Sequence, residues 1–141
     1  MKKIVYTTAI IIALVFSEMH SANAQIHIRV TWELCPDTCF TQDDCVYGVN
    51  YILIDNCGEQ PEEKCSDYRT TNCSTTELTF HCDFSCLDVT LEPCYTIIAR
   101  VQKKCIGHGG TIIVCEGYGQ LNCSCNYLMN TDPIDIPITW N

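Results

Sequence analysis

The chain has 141 residues, 13 of them cysteine, and a formal net charge of −9. So acidic a balance repels phosphate backbones and anionic bilayers, which sets aside nucleic-acid binding and membrane insertion. Cysteine at this density is typical of disulfide scaffolds and sets aside a reducing compartment.

Residues 1–24 have the layout of a secretory signal peptide. Lys2 and Lys3 supply the positive start, Ile4 to Phe16 form an apolar run, and Ala22-Asn23-Ala24 gives small residues before a cut. The run is shorter than the about 20 residues that span a bilayer. The expected mature chain, residues 25–141, is a single cysteine-rich domain of 117 residues, secreted and extracellular. Losing Lys2, Lys3 and Glu18 takes 8 basic and 17 acidic residues to 6 and 16, a balance of −10.

The alternation of Ile26, Ile28, Val30, Trp32 and Leu34 with His27, Arg29, Thr31 and Glu33 predicts a half-buried strand over Gln25 to Leu34. A polar loop follows, and its Cys35, Cys39 and Cys45 are expected to tie it to the body. Val46 to Asp55 predicts the next strand, with Tyr47, Val49, Tyr51 and Leu53 on one parity. Asn56 to Asn72 is charged and turn-rich and reads as a surface connection, with a short strand near Tyr68 to Thr71. Thr76 to Cys82 alternates with Thr76, Leu78, Phe80 and Cys82 inward, and Asp83 to Pro93 reads as a crossover.

Tyr95, Ile97, Ala99 and Val101 then alternate with Thr96, Arg100 and Gln102, a strand entered through Pro93 where no ladder hydrogen bond is lost. Gln102 to Gly110 reads as a hairpin connection to a strand over Thr111 to Glu116. Gly117 to Asp132 reads as irregular. Ile134, Ile136, Ile138 and Trp140 alternate once more, and Pro137 places that strand at a sheet edge. Six or seven short strands without helical periodicity predict an all-β protein, an antiparallel β-sandwich stabilised by disulfides.

The cysteines are Cys35, Cys39, Cys45, Cys57, Cys65, Cys73, Cys82, Cys86, Cys94, Cys105, Cys115, Cys123 and Cys125. An odd number leaves one thiol after six bridges, either free or paired with a second chain as a disulfide-linked homodimer; the pairing is open. Asn72-Cys73-Ser74 and Asn122-Cys123-Ser124 are glycosylation sequons, each with a cysteine at its centre.

No catalytic set emerges. Gly107-His108-Gly109-Gly110 looks like the oxyanion segment of esterases but lacks the accompanying nucleophile elbow, so a hairpin turn is expected. His27 and His81 have no partner at ligand spacing and read as solvated surface residues. Cys123-Ser124-Cys125 reads as part of two cystines, and neither Asp132 with Asp135 nor Asp43-Asp44 has an EF-hand frame. No metal or cofactor is expected.

Two segments carry a resemblance. Val30-Thr31-Trp32 is similar to the second strand of fibronectin type III domains, whose Trp lies in the core. Leu91-Glu92-Pro93-Cys94-Tyr95 and the alternation behind it resemble the strand carrying that family's tyrosine corner. The resemblance covers residues 26 to 116 and implies a sandwich. The chain departs from the family in lacking a strand before the Trp-bearing one, in a shorter Leu91-to-Tyr95 spacing, and in its cystines.

The expected function is a secreted, non-enzymatic module that binds another extracellular protein. A disulfide-linked dimeric signalling ligand and a secreted toxin, inhibitor or effector are the alternatives. Lys103, Lys104 and His108, a cationic island in the expected Gln102 to Gly110 loop, are the candidate binding residues.

Overall fold

A computed structural model describes residues 21–39, 44–87 and 92–141, with 21–24 and 87 in backbone only. The apolar signal run, Asp43 and Leu91 lie outside the described residues. Among the described residues, eight strands and one short helix follow in order: β1 (Ser21–Thr31), β2 (Asp44–Asp55), β3 (Glu62–Asn72), β4 (Glu77–Leu87), β5 (Tyr95–Gly107), β6 (Gly110–Cys123), α1 (Cys125–Asn130), β7 (Ile134–Pro137) and β8 (Thr139–Trp140). They form a three-stranded sheet in the order β4-β1-β7 and a five-stranded sheet in the order β3-β2-β5-β6-β8. All pairings are antiparallel except β1 with β7.

Period-two alternation creates this arrangement, because it gives each sheet one apolar face. Ile26, Ile28, Val30, Phe80, Phe84, Ile134 and Ile136 from the smaller sheet are buried together with Tyr47, Val49, Tyr51, Leu53, Ile97, Ala99 and Val101 from the larger. Aromatic rings bridge the layers: Tyr51 meets Phe80 at 4.9 Å between centroids, and Phe84 meets Tyr95 edge-on at 5.2 Å. Trp32 is buried beyond the end of β1 and packs edge-on against Tyr47. The disulfide-stabilised β-sandwich expected from the pattern is what forms, and six of its strands run eleven residues or more.

Several boundaries differ from the sequence reading. The expected surface connection before Asn72 is strand over most of its length: the short strand near Tyr68 to Thr71 is the end of β3, an edge strand whose largely exposed, charged residues erase the alternation. The expected crossover after Cys82 begins as strand, with Phe84 and Cys86 keeping the inward parity. Leu34, expected inside, is 55% exposed because β1 ends at Thr31, and Thr76 is exposed before β4 begins. The expected irregular stretch holds the end of β6 and α1, whose N-cap Ser124 accepts a hydrogen bond from the Tyr127 amide at 3.2 Å.

Gly117 and Gly119 explain how the C-terminus crosses between sheets. A Cβ on Gly119 would lie 2.5 Å from the Pro137 carbonyl oxygen, and one on Gly117 would lie 2.8 Å from that of Thr139. Bare backbone in β6 therefore admits the chain from β7 to β8 against it. β7, holding Pro137, is an edge strand of the smaller sheet, and β8 an edge strand of the larger.

Six disulfides reinforce the layers: Cys35–Cys115, Cys39–Cys105, Cys45–Cys73, Cys57–Cys94, Cys65–Cys82 and Cys86–Cys125. Those from Cys35, Cys39 and Cys45 hold the first loop to the body, as its composition suggested. Cys65–Cys82 sews the β3 edge to β4, and Cys86–Cys125 joins β4 to α1. Among the described residues no helix is long and apolar enough to cross a membrane.

Candidate functional site

β5 and β6 close in a two-residue turn, with Gly107 paired to Gly110 around His108 and Gly109. Gly110 has φ 112°, a conformation that suits glycine, and so supplies the turn that the Gly-rich segment predicted. The ladder runs past the end of the core, so residues on both faces of the hairpin tip meet solvent. Ile106, Ile112 and Ile113 are 42%, 58% and 49% exposed. Apolar residues of both parities where the partner sheet has ended were a legible signal that the sequence reading passed over. Cys39–Cys105 anchors the base of this tip.

The expected cationic island is divided by the strand. Lys103 and Lys104 lie within β5, where consecutive residues face opposite ways. Lys103 continues the inward parity of Tyr95 to Val101 and is only 8% exposed; its ammonium donates to the backbone carbonyls of Cys35 and Asp37. It is a tie for the first loop, not an exposed binding residue. Lys104 faces outward, opposite Ile113. Its Nζ lies 3.2 Å from the Tyr68 hydroxyl and 5.3 Å from that ring's centroid. Tyr68 reaches it across Gly48, where a Cβ would sit 2.7 Å from the tyrosine oxygen. His108 is exposed at the turn, as expected.

Beside these groups, Arg100, Gln102, Glu116 and Tyr118 form a polar network on the outer face. Arg100 pairs with Glu116 and lies 5.7 Å from the Tyr118 centroid, and Gln102 donates to Glu116 at 2.9 Å. The Tyr118 hydroxyl foremost, then Gln102 and Arg100, hold the Glu116 carboxyl below its ordinary range. Arg100 is thus neutralised in place, whereas Lys104 has no carboxylate partner among the described residues. Tyr68, Lys104, Ile106 and Ile113, from β3, β5 and β6, together present an aromatic, a cation and two aliphatic side chains on the larger sheet.

The other sequence candidates disperse. Asn72 ends β3, its Oδ1 accepting from the Ser74 amide at 3.0 Å, and Cys73 is bridged to Cys45. Asn122 is exposed on β6, where its Oδ1 accepts from Thr96 at 3.0 Å. The expected two cystines at Cys123 and Cys125 reduce to one: Cys125 is bridged, while Cys123 is the free cysteine and is buried. Cys35, Asp37 and Cys115 converge, but Cys35 and Cys115 are one cystine and offer no thiolate. Asp135 pairs with Arg29, whose hydrogen bond lowers the carboxyl pKa.

His27 and His81 are not the isolated residues that spacing suggested. The β1–β4 register sets them opposite each other, and the His27 Nδ1 lies 2.7 Å from Asp132 Oδ1. A shallow cavity of about 490 Å³ near Trp32 and Trp140 has Glu33 as the one ionisable group among the described residues that line it. Comparison with protein-family models, curated proteins and solved structures finds no match.

Proposed function

We propose that the protein is a secreted, non-enzymatic module that binds another extracellular protein through the β5–β6 hairpin tip and the adjoining Tyr68 and Lys104. The observation that carries this reading is the set of exposed isoleucines beside a lysine with no carboxylate partner among the described residues, on a body of net negative charge. Exposed apolar patches rimmed by polar groups mark interaction sites. A rigid aromatic and aliphatic anchor supplies affinity, and a lone cation supplies orientation toward an acidic partner. Six disulfides suit an oxidising, extracellular setting.

We read the sandwich as a divergent relative of fibronectin type III domains. In support, Trp32 is buried at the end of β1 and Tyr95 is buried at the start of β5. Burial foremost, then the neighbouring Asp55, keeps the Tyr95 hydroxyl in its protonated form. The second neighbour of β1 is β7, so its other edge is filled from the C-terminal side. A dimer linked through Cys123 would need a thiol only 4% exposed to reach another chain.

The test is capture of extracellular proteins by tagged wild type, then affinity comparison with Lys104→Glu and Ile113→Asp. Both variants are expected to lose at least tenfold in affinity, with stability changed by only about 0.5 kcal/mol, as at other exposed positions. Equal affinity in both would remove the hairpin from the binding surface. Hydrolytic activity without any captured protein would replace the reading by an enzyme.

A further inference from the structure

We propose that His27 and His81 form a binding site for a divalent transition-metal ion on the outer face of the three-stranded sheet, with Asp132 as the residue that positions His27. The two histidines are 54 positions apart in sequence, and the antiparallel register alone brings them together. Their ring centroids are 4.7 Å apart at an interplanar angle of 80°.

The tautomer of His27 follows from its partner. An ionised carboxylate only accepts hydrogen bonds, so the contact from Nδ1 to Asp132 Oδ1 places the proton on Nδ1. In the neutral imidazole Nε2 then carries the lone pair, the form a metal binds. A histidine held by a carboxylate on one nitrogen and a metal on the other is a recurrent arrangement, because the carboxylate fixes the tautomer and raises ligand basicity. The His81 ring is exposed and has no hydrogen-bond partner among the described residues, so it turns about χ2 at little cost.

The dimensions agree. Opposed residues of antiparallel strands have Cβ atoms about 4.5–5.5 Å apart. Two imidazole nitrogens at about 2.0–2.1 Å from a tetrahedral ion lie about 3.3 Å from one another, within reach of facing rings. Local charge favours a cation. Asp132 is one carboxylate there, and Asp83, two residues after His81 on the same face, is another. Arg29, the nearby cation, is held by Asp135 through bonds of 2.6 and 3.0 Å. Neither histidine is needed by the core, since both lie on the solvent side of their strands. Imidazole donors with water in the remaining positions suit Zn²⁺, Cu²⁺ or Ni²⁺ rather than Ca²⁺ or Mg²⁺.

The experiment is calorimetric titration of the oxidised, folded protein with ZnCl₂ near neutral pH, with near-ultraviolet circular dichroism as a check on every variant. Wild type is expected to bind one Zn²⁺ per chain. His81→Ala should weaken binding at least tenfold, and His108→Ala should leave it unchanged. Asp132→Asn replaces the acceptor by an amide that also donates, and should cost about 10–100-fold. A readout that needs no variant is the imidazole NMR spectrum, where Zn²⁺ should move His27 and His81 but not His108. Unchanged resonances at His27 and His81, or affinity indifferent to both His81→Ala and Asp132→Asn, would overturn the proposal.

Discussion

Burial pushes the Cys123 thiol up to about 11 from an ordinary 9.0, because a thiolate there would lose its hydration. The folded state therefore holds that proton more tightly than the unfolded chain. The associated stability is full below about 9 and is lost as pH rises through about 11. Cys123→Ala removes this dependence, so the stability gap between wild type and variant should narrow by about 2 kcal/mol between about pH 8 and about pH 10.5. Denaturant titrations at the two pH values check this, with thiol labelling expected only after unfolding. A gap independent of pH, or rapid labelling of native protein, would mean that Cys123 is not buried in solution. Lys103 shows a related competition at one residue. Strand parity directs its stem inward, and the ammonium stays satisfied only because the disulfide-held loop turns the carbonyls of Cys35 and Asp37 toward it. Charge type alone had suggested exposure, but position in the ladder decided the outcome.

β6 depends on two glycines for contact with the C-terminal crossing. Gly119→Ala would put a methyl group 2.5 Å from a backbone oxygen, which cannot swing aside as a side chain can. The expected cost is about 1–3 kcal/mol, as for other overpacked sites. Gly109→Ala is the control, since nothing lies within 4 Å of the added Cβ. Urea midpoints distinguish the two, and equal midpoints would show that the β7–β8 segment sits farther from β6. The elements legible in advance were those with one wet and one dry face, as at Ile26 to Val30, Tyr47 to Leu53 and Tyr95 to Val101. Only the Tyr68 to Thr71 part of β3 is legible as strand, because an edge strand with few buried residues carries little alternation. The hairpin turn is legible from its glycines, but Lys103 lies outside it because β5 continues to Gly107. The facing of His27 and His81 depends on register between distant segments, which no local pattern encodes. The same holds for the disulfide pairing.

At the scale of the whole molecule, the expected signal cut and the sheet topology bear on each other. β1 begins at Ser21, and its Ser21 to Ala24 backbone pairs with Leu87 to Phe84 of β4. A cut after Ala24 removes that partner, and β4 lies at the sheet edge with no described strand on its other side. In a chain beginning at Gln25, β4 keeps its ladder only from Glu77 to Asp83, facing Thr31 to Gln25. Beyond Asp83, Phe84 and Cys86 still face the core, and Cys86–Cys125 still anchors the strand to α1. Side-chain burial and a covalent link hold position without supplying backbone hydrogen bonds, and amide exchange responds to the latter. Native-state hydrogen exchange of mature protein should therefore show protection over Ile26–Val30 and their partners in β4, with fast exchange from Phe84 to Leu87. Opening the bridge with paired Cys86→Ser and Cys125→Ser substitutions should increase exchange in that end further while leaving Phe80 and Cys82 protected. Uniform protection along all of β4 in the chain starting at Gln25 would contradict this account. It would mean that another strand, from the same chain or a second copy, has taken the place of residues 21–24.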